Sequence, residues 1–196
     1  MKPTEIIVVI DRSGSMSGFV ADTIGGYNTF IDEQKKLPGD AKITTVLFDT
    51  EYDVFEDGVE LQKAVPLSRI SYVPRGNTAL LDAIGDAVKR VEDRQAKLPD
   101  DQKTDHVIMV IITDGQENSS VRFSKDQIKD IITAKTALGW KFDFFSANMD
   151  AINDATRSYG FDSKNVLCFA ANTDGFQKSY KSMNISTSNY RLDKDS

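Results

Sequence analysis

Three short stretches of the chain carry oxygen-bearing side chains at a spacing that suits a hard cation. The first is Asp11-Arg12-Ser13-Gly14-Ser15. Alternate residues of an extended segment point the same way, so Asp11, Ser13 and Ser15 are expected to aim at one spot. The second is Thr78, directly after Gly76-Asn77, and the third is Asp114, followed by Gly115. Two carboxylates and three hydroxyls form an all-oxygen set, which suits magnesium, manganese or calcium better than softer metals. Asp and Gly are also common turn residues at strand ends, but a turn role accounts for one position at a time and not for five together.

Such residues do chemistry only if the fold brings them together. Apolar runs of strand length alternate with amphipathic helical stretches, the pattern of a mostly parallel sheet with helices on both faces. Strands are predicted over 5–10, 43–48, 52–55, 106–113 and 141–146 and around Cys168. A first helix carries Val20, Ile24, Tyr27 and Ile31 at helical spacing and stops near Leu37-Pro38-Gly39; others are predicted over 78–96, 124–138 and 150–159 and from 174. The link Asp49-Thr50-Glu51 is so short that it permits only an antiparallel hairpin, which makes 52–55 an edge strand. The acids around it, Glu51, Asp53, Glu56, Asp57 and Glu60, lack EF-hand spacing and read as charges that protect an exposed edge. The run Val107-Ile108-Met109-Val110-Ile111-Ile112 fits a central strand buried on both faces. In an open sheet of order 3-2-1-4-5-6, Asp11 and Asp114 end neighbouring strands at the topological switch point, where ligands bind. The predicted class is therefore α/β: a Rossmann-like open sheet, mostly parallel with one antiparallel edge strand, and helices on both faces. One domain is expected over 1–185, with a polar tail over 186–196.

With these residues in place, the sequence resembles the von Willebrand factor type A family. That family's metal-ion-dependent adhesion site is written Asp-x-Ser-x-Ser, a distant Thr and a distant Asp, and Asp11, Ser13, Ser15, Thr78 and Asp114 fill every position. The resemblance spans the whole chain, including the hairpin edge and the segments 76–84 and 113–115. It implies one divalent cation, Mg²⁺ first, with Mn²⁺ or Ca²⁺ as substitutes. Ser13, Ser15 and Thr78 would touch the ion through hydroxyls, and Asp11 and Asp114 directly or through waters. It further implies a protein partner supplying an Asp or Glu carboxylate, bound cooperatively with the metal. A partner-binding rim would comprise Arg12, Ser17, Arg75, Asn77, Gln116, Glu117 and Asn118, and Asp82 would support the ligands or the helix terminus. Because Thr78 and Asp114 fall on separate loops, the family's affinity switch through a sliding helix is a movement to look for. Size and the absence of appended domains suggest the stand-alone bacterial and phage members.

Composition narrows the alternatives. The chain has 196 residues, 40% of them hydrophobic, which allows a proper core. Lys and Arg number 24 against 30 Asp and Glu, a net charge of -6, so nucleic acid and anionic lipid are disfavoured as partners. No secretory leader and no membrane-spanning run is evident, which suggests a cytoplasmic protein, expected to be a monomer when unbound. The single cysteine, Cys168, lies in the apolar stretch 166–170 and reads as a buried strand residue. No enzyme activity is expected. There is no Gly-x-Ser-x-Gly elbow and no P-loop. The only histidine, His106, opens its strand roughly 20 Å from Asp114. A Mg-dependent, phosphatase-like hydrolase is the catalytic alternative, although such enzymes carry Asp-x-Asp where Ser13 stands here. A scaffold or assembly module that ignores the metal is the other.

Overall fold

The computed structural model describes residues 3–104 and 106–192. The elements in chain order are β1 (Thr4–Asp11), α1 (Val20–Lys35), β2 (Ala41–Phe48), β3 (Tyr52–Glu60), α2 (Leu80–Gln95), β4 (Val107–Thr113), α3 (Lys125–Ala137), β5 (Lys141–Ser146), α4 (Met149–Arg157), β6 (Val166–Cys168) and α5 (Thr173–Arg191). A short 3-10 helix, Gly14–Phe19, joins β1 to α1. The strands form one six-stranded sheet of order β3-β2-β1-β4-β5-β6, parallel throughout except for the antiparallel β2–β3 pair. The predicted order and the antiparallel edge are both present.

Every residue of β1 and β4 is buried, as expected of central parallel strands covered on both sides. Side chains alternate across the sheet. Ile7 and Val9 join a core under α2, α3 and α4, while Ile6, Val8 and Ile10 join a second core under α1 and α5. Burying a side chain of this size contributes about 1.5–3 kcal/mol, so these two strands form the most firmly held part of the molecule. Helices α1 and α5 meet closely at Gly26, where an added Cβ would lie 2.3 Å from the Tyr180 ring.

Several expectations are corrected. The polar tail predicted from 186 onward is helical through Arg191, because α5 is fastened to the body. Ser186 donates to Asp143, and the buried Arg191 guanidinium donates to the Gln34 carbonyl, at 2.6 Å for each bond. The last residues of that predicted tail, 193–196, lie outside the described residues. Cys168 is exposed, not buried: β6 is only three residues long at the edge of the sheet, and Leu167 and Cys168, on opposite faces, are both exposed. β3 runs on to Glu60, past its predicted end at 55. Its acids are tied to neighbouring cations, Asp53 to Arg12, Asp57 to Arg90 and Arg94, and Glu60 to Lys63. Among the described residues no helix is long and apolar enough to cross a membrane.

Candidate metal centre

The sheet register sets the site. Ile10 pairs with Ile112, so Asp11 and Thr113 stand side by side at the carboxyl ends of β1 and β4, and Asp114 follows. Asp11 is fully buried. Its Oδ1 accepts the Ser13 backbone N–H at 2.6 Å, its Oδ2 accepts the Thr113 hydroxyl at 2.5 Å, and its backbone oxygen accepts the Tyr72 hydroxyl at 2.6 Å. The carboxylate orientation is therefore fixed from both sides.

Ser13 and Ser15 reach the site by a route different from the one the spacing suggested. Ser13 is extended, but the 3-10 helix begins at Gly14, so Ser15 arrives through a tight turn and not by strand alternation. The turn still brings the hydroxyls together. Ser13 Oγ lies 3.1 Å from Ser15 Oγ, which donates to Asp114 Oδ1 at 2.7 Å. Thr78 enters from the loop before α2, held by a reciprocal pair of bonds: its N–H donates to Asn118 Oδ1 at 2.9 Å and its carbonyl accepts the Asn118 N–H at 3.0 Å. The Gly14 N–H donates to the Gly76 carbonyl at 3.1 Å, joining the first loop to the second. Gly76 adopts φ +63°, and a side chain there would also strike Thr50.

Gly115 locates the point where the groups converge. A Cβ at this glycine would lie 3.4 Å from Thr78 Oγ1, 3.8 Å from Ser15 Oγ and 3.9 Å from Asp11 Oδ2. Three oxygens, two from the end of β1 and the turn after it and one from the loop before α2, thus face a single spot that a glycine of the loop after β4 leaves open. The donor set is two carboxylates and three neutral hydroxyls, with no nitrogen or sulfur, and it fits a hard divalent cation. Among the described residues no group of three or more His, Cys, Asp or Glu is placed to hold a metal. The arrangement is therefore not a carboxylate cage, and hydroxyls supply most of its oxygens.

The electrostatics agree with this reading. Burial pushes the Asp11 carboxyl up to about 6, against the hydrogen bonds from Thr113 and Ser13 that favour the ionised form, and the nearby Asp114 raises it further. Burial also raises Asp114, opposed by the Ser15 hydroxyl. Two carboxylates held close together in a half-dry setting repel each other until a cation lies between them.

The rim residues divide into two groups. Ser17, Arg75, Asn77, Gln116 and Asn118 are exposed. Arg12 is not: it is turned inward, with Nε 2.8 Å from Asp49 and Nη2 2.7 Å from Asp53, so it braces the first loop against the β2–β3 hairpin and offers nothing to a partner. Arg75 reaches the same acids from outside, bonding Asp49, Glu51 and Asp53. Glu117 is half-buried and accepts from the backbone N–H groups of Leu81, Ser119 and Ser120, which makes it a clamp on its own loop. Asp82 has the same role. Burial raises its carboxyl, but the backbone N–H groups of Val121, Phe123 and Arg122 outweigh that and hold it below the usual value. His106 sits at the opposite end of β4, stacked on Tyr190 at 4.1 Å. Sequence reasoning missed Tyr72, Thr113 and Asp49. Thr113 was detectable as the residue preceding the candidate ligand on its strand, whereas Tyr72 and Asp49 act across 61 and 37 residues of chain and leave no local signal.

No family model matches the sequence, and no curated protein matches it. Solved structures match it in fold. A von Willebrand factor type A protein from Catenulispora acidiphila superposes with a TM-score of 0.62 at 13% identity, covering 93% of this chain and 42% of that one. The manganese-loaded TRAP protein of Plasmodium vivax gives 0.59 at 16% identity, over 90% of this chain and 72% of that one. The conserved hypothetical protein BatB of Bacteroides thetaiotaomicron gives 0.56 at 13% identity, over 94% and 98%. The chain therefore spans less than half of the first of these. At such identities the likeness shows the fold alone, and that fold is the von Willebrand factor type A-like α/β sheet.

Proposed function

We propose that this chain is a protein-interaction module without catalytic activity. It would bind an acidic side chain of a partner through one divalent cation held by Asp11, Ser13, Ser15, Thr78 and Asp114. The carrying observation is the convergence of Thr78 Oγ1, Ser15 Oγ and Asp11 Oδ2 around the spot beside Gly115. Bound Mg²⁺, with its preference for six oxygen ligands, supplies an electrophilic position where a partner carboxylate can replace a water.

The protein's own residues supply the rest. Both Asp11 oxygens already accept hydrogen bonds, so this carboxylate acts chiefly as a fixed negative charge behind the hydroxyls. Ser13, Ser15 and Thr78 contribute oxygens without charge, which leaves a divalent ion less neutralised than a carboxylate cage would. Ser15 is exposed, whereas Asp11, Ser13 and Thr78 are buried, so the cradle opens toward solvent on the side where a partner arrives. The manganese in the TRAP structure, which shares this fold, adds support for an ion of the same class here.

Titration of Mn²⁺ followed by electron paramagnetic resonance tests the metal. One ion per chain is expected for the wild type and none for Asp11→Ala. Partner recovery in Mg²⁺ should then exceed recovery in chelator. Equal recovery in both would favour the metal-independent scaffold, and Mg-dependent turnover of an aryl phosphate, lost in Asp11→Ala, would favour a hydrolase.

A further inference from the structure

Four exposed apolar side chains lie on the loops and loop ends that border the cradle, and their placement describes what should sit on it. Ile70 is 93% exposed, Val73 53%, Val121 89% and Met149 58%. Val65, Leu138, Leu167 and Ile185 are exposed singly elsewhere, but Ile70, Val73, Val121 and Met149 share one end of the sheet, and a cluster of apolar side chains left in water is unfavourable unless something covers it.

All four belong to loops or loop ends at the carboxyl edge of the sheet. Val73 is bracketed by two contacts with the first loop: the neighbouring Tyr72 donates to the Asp11 carbonyl, and the Arg75 N–H donates to the Arg12 carbonyl at 2.8 Å. Ile70 lies in the turn just before, closed by the Tyr72 N–H to the Ser68 carbonyl. On the other side, Val121 is pinned through its N–H to Asp82, three residues beyond the Asn118 that grips Thr78. Met149 begins α4, two residues after Ala147, whose N–H donates to the Thr113 carbonyl. Apolar groups therefore flank the cradle on both sides.

Charge is distributed to match. The chain contains 30 acidic residues. Yet two of the three loops at the cradle, Gly-Ser-Met-Ser-Gly-Phe at 14–19 and Val-Pro-Arg-Gly-Asn-Thr-Ala at 73–79, contain none and carry only Arg75; the third carries Asp114, itself a candidate ligand, and Glu117, which is turned onto the N–H groups of Leu81, Ser119 and Ser120. A carboxylate approaching over the first two loops crosses no acid of theirs, and the exposed acids beside them, Glu51 and Asp53, are paired with Arg75.

We infer that the partner presents a short segment in which one Asp or Glu is flanked within two or three residues on both sides by apolar side chains. The acid occupies the metal position, and the flanking residues cover Ile70 and Val73 on one side and Val121 and Met149 on the other. This rests on the metal-bridged reading above and specifies its ligand. A lone carboxylate would bind weakly, and the apolar flanks provide both affinity and selection among acidic segments.

Selection from a displayed library of random heptapeptides against the full chain tests this, with elution by chelator so that only metal-dependent binders are recovered. Mn²⁺ binding is measured separately on each protein. The expected pool is rich in Asp or Glu with Leu, Ile, Val, Phe or Met on both sides. The double variant Ile70→Ser, Val121→Ser should bind a selected peptide about tenfold or more weakly with its Mn²⁺ affinity unchanged. Intact Mn²⁺ binding with an empty pool, with acids flanked by polar or basic residues, or with equal peptide affinity for the double variant would overturn the inference alone. Absence of Mn²⁺ binding by the wild type would overturn the metal-bridged reading itself, and this inference with it.

Discussion

Burial pushes the Asp11 carboxyl up to about 6, so without a counter-ion its negative charge at neutral pH works against folding. The sign follows from linkage. A carboxyl raised above its ordinary 3.8 adds stability below that value, and the stability is lost as pH rises through about 6. Asp11→Asn removes the charge and keeps the shape. The amide oxygen can still accept the Ser13 N–H, and the Thr113 hydroxyl, freed from donating to Asp11, has the Gly115 carbonyl within 3.3 Å as an alternative acceptor. In chelator at pH 7, Asp11→Asn is therefore expected to be as stable as the wild type or up to about 2 kcal/mol more stable, while Mn²⁺ binding disappears. Urea melts with and without Mn²⁺ check both parts. A clear loss of stability in chelator would show that Asp11 is a structural turn residue and not a charge held ready for a cation.

At the scale of elements, the loop after β4 and the start of α2 behave as one body. Asn118 grips the Thr78 backbone with its side-chain oxygen and its own N–H, Glu117 accepts from Leu81, Ser120 accepts from the Asp82 N–H, and Asp82 accepts from three successive backbone N–H groups at 121–123. Thr78 and Asp114, which the sequence places on separate loops free to move apart, are thus carried on a clamped unit. Asp82→Ala leaves those N–H groups without their acceptor, at a cost of about 1–3 kcal/mol. Hydrogen exchange at 121–123 should speed up and Mn²⁺ affinity should fall, with β1 and β4 as protected as before. Unchanged exchange at those three amides would remove Asp82 from the clamp. The clamp also shows where sequence reasoning stops. Strand order was legible because apolar runs and the three-residue hairpin link are local, and the juxtaposition of Asp11 with Asp114 followed from that order. The inward turn of Arg12 was not, because its partner Asp49 is 37 residues away. Nor was the end of α5: Ser186, Thr187, Ser188 and Asn189 look like a loose tail until Asp143 and Gln34 are placed beside the helix.

For the whole molecule, the proposed ion would join the ends of the two most deeply buried strands, β1 and β4, to the loop that leads into α2. Each of these is held in the native state and dispersed in the unfolded chain, so binding would favour the native state by about 2.7 kcal/mol at a hundredfold excess over the dissociation constant. For a domain of this size each kcal/mol moves the melting temperature by about 2–4 °C, which gives an expected rise of about 5–10 °C in saturating Mg²⁺. The chain carries a net charge of -6, and any divalent ion screens that charge to some extent, so the specific part of the rise is the part that Asp11→Ala abolishes. Proton competition provides a second signature. The ion requires Asp11 ionised, so binding releases a proton wherever the metal-free carboxyl is protonated, and the rise at fixed Mg²⁺ should shrink as pH falls from 7 to 5 through about 6. Calorimetric melts across that range, in Mg²⁺ and in chelator, distinguish this from screening: a shift of the same size in Asp11→Ala, or one that does not change between pH 7 and 5, would mean that the ion acts on the acidic surface at large and not in the cradle between the strands.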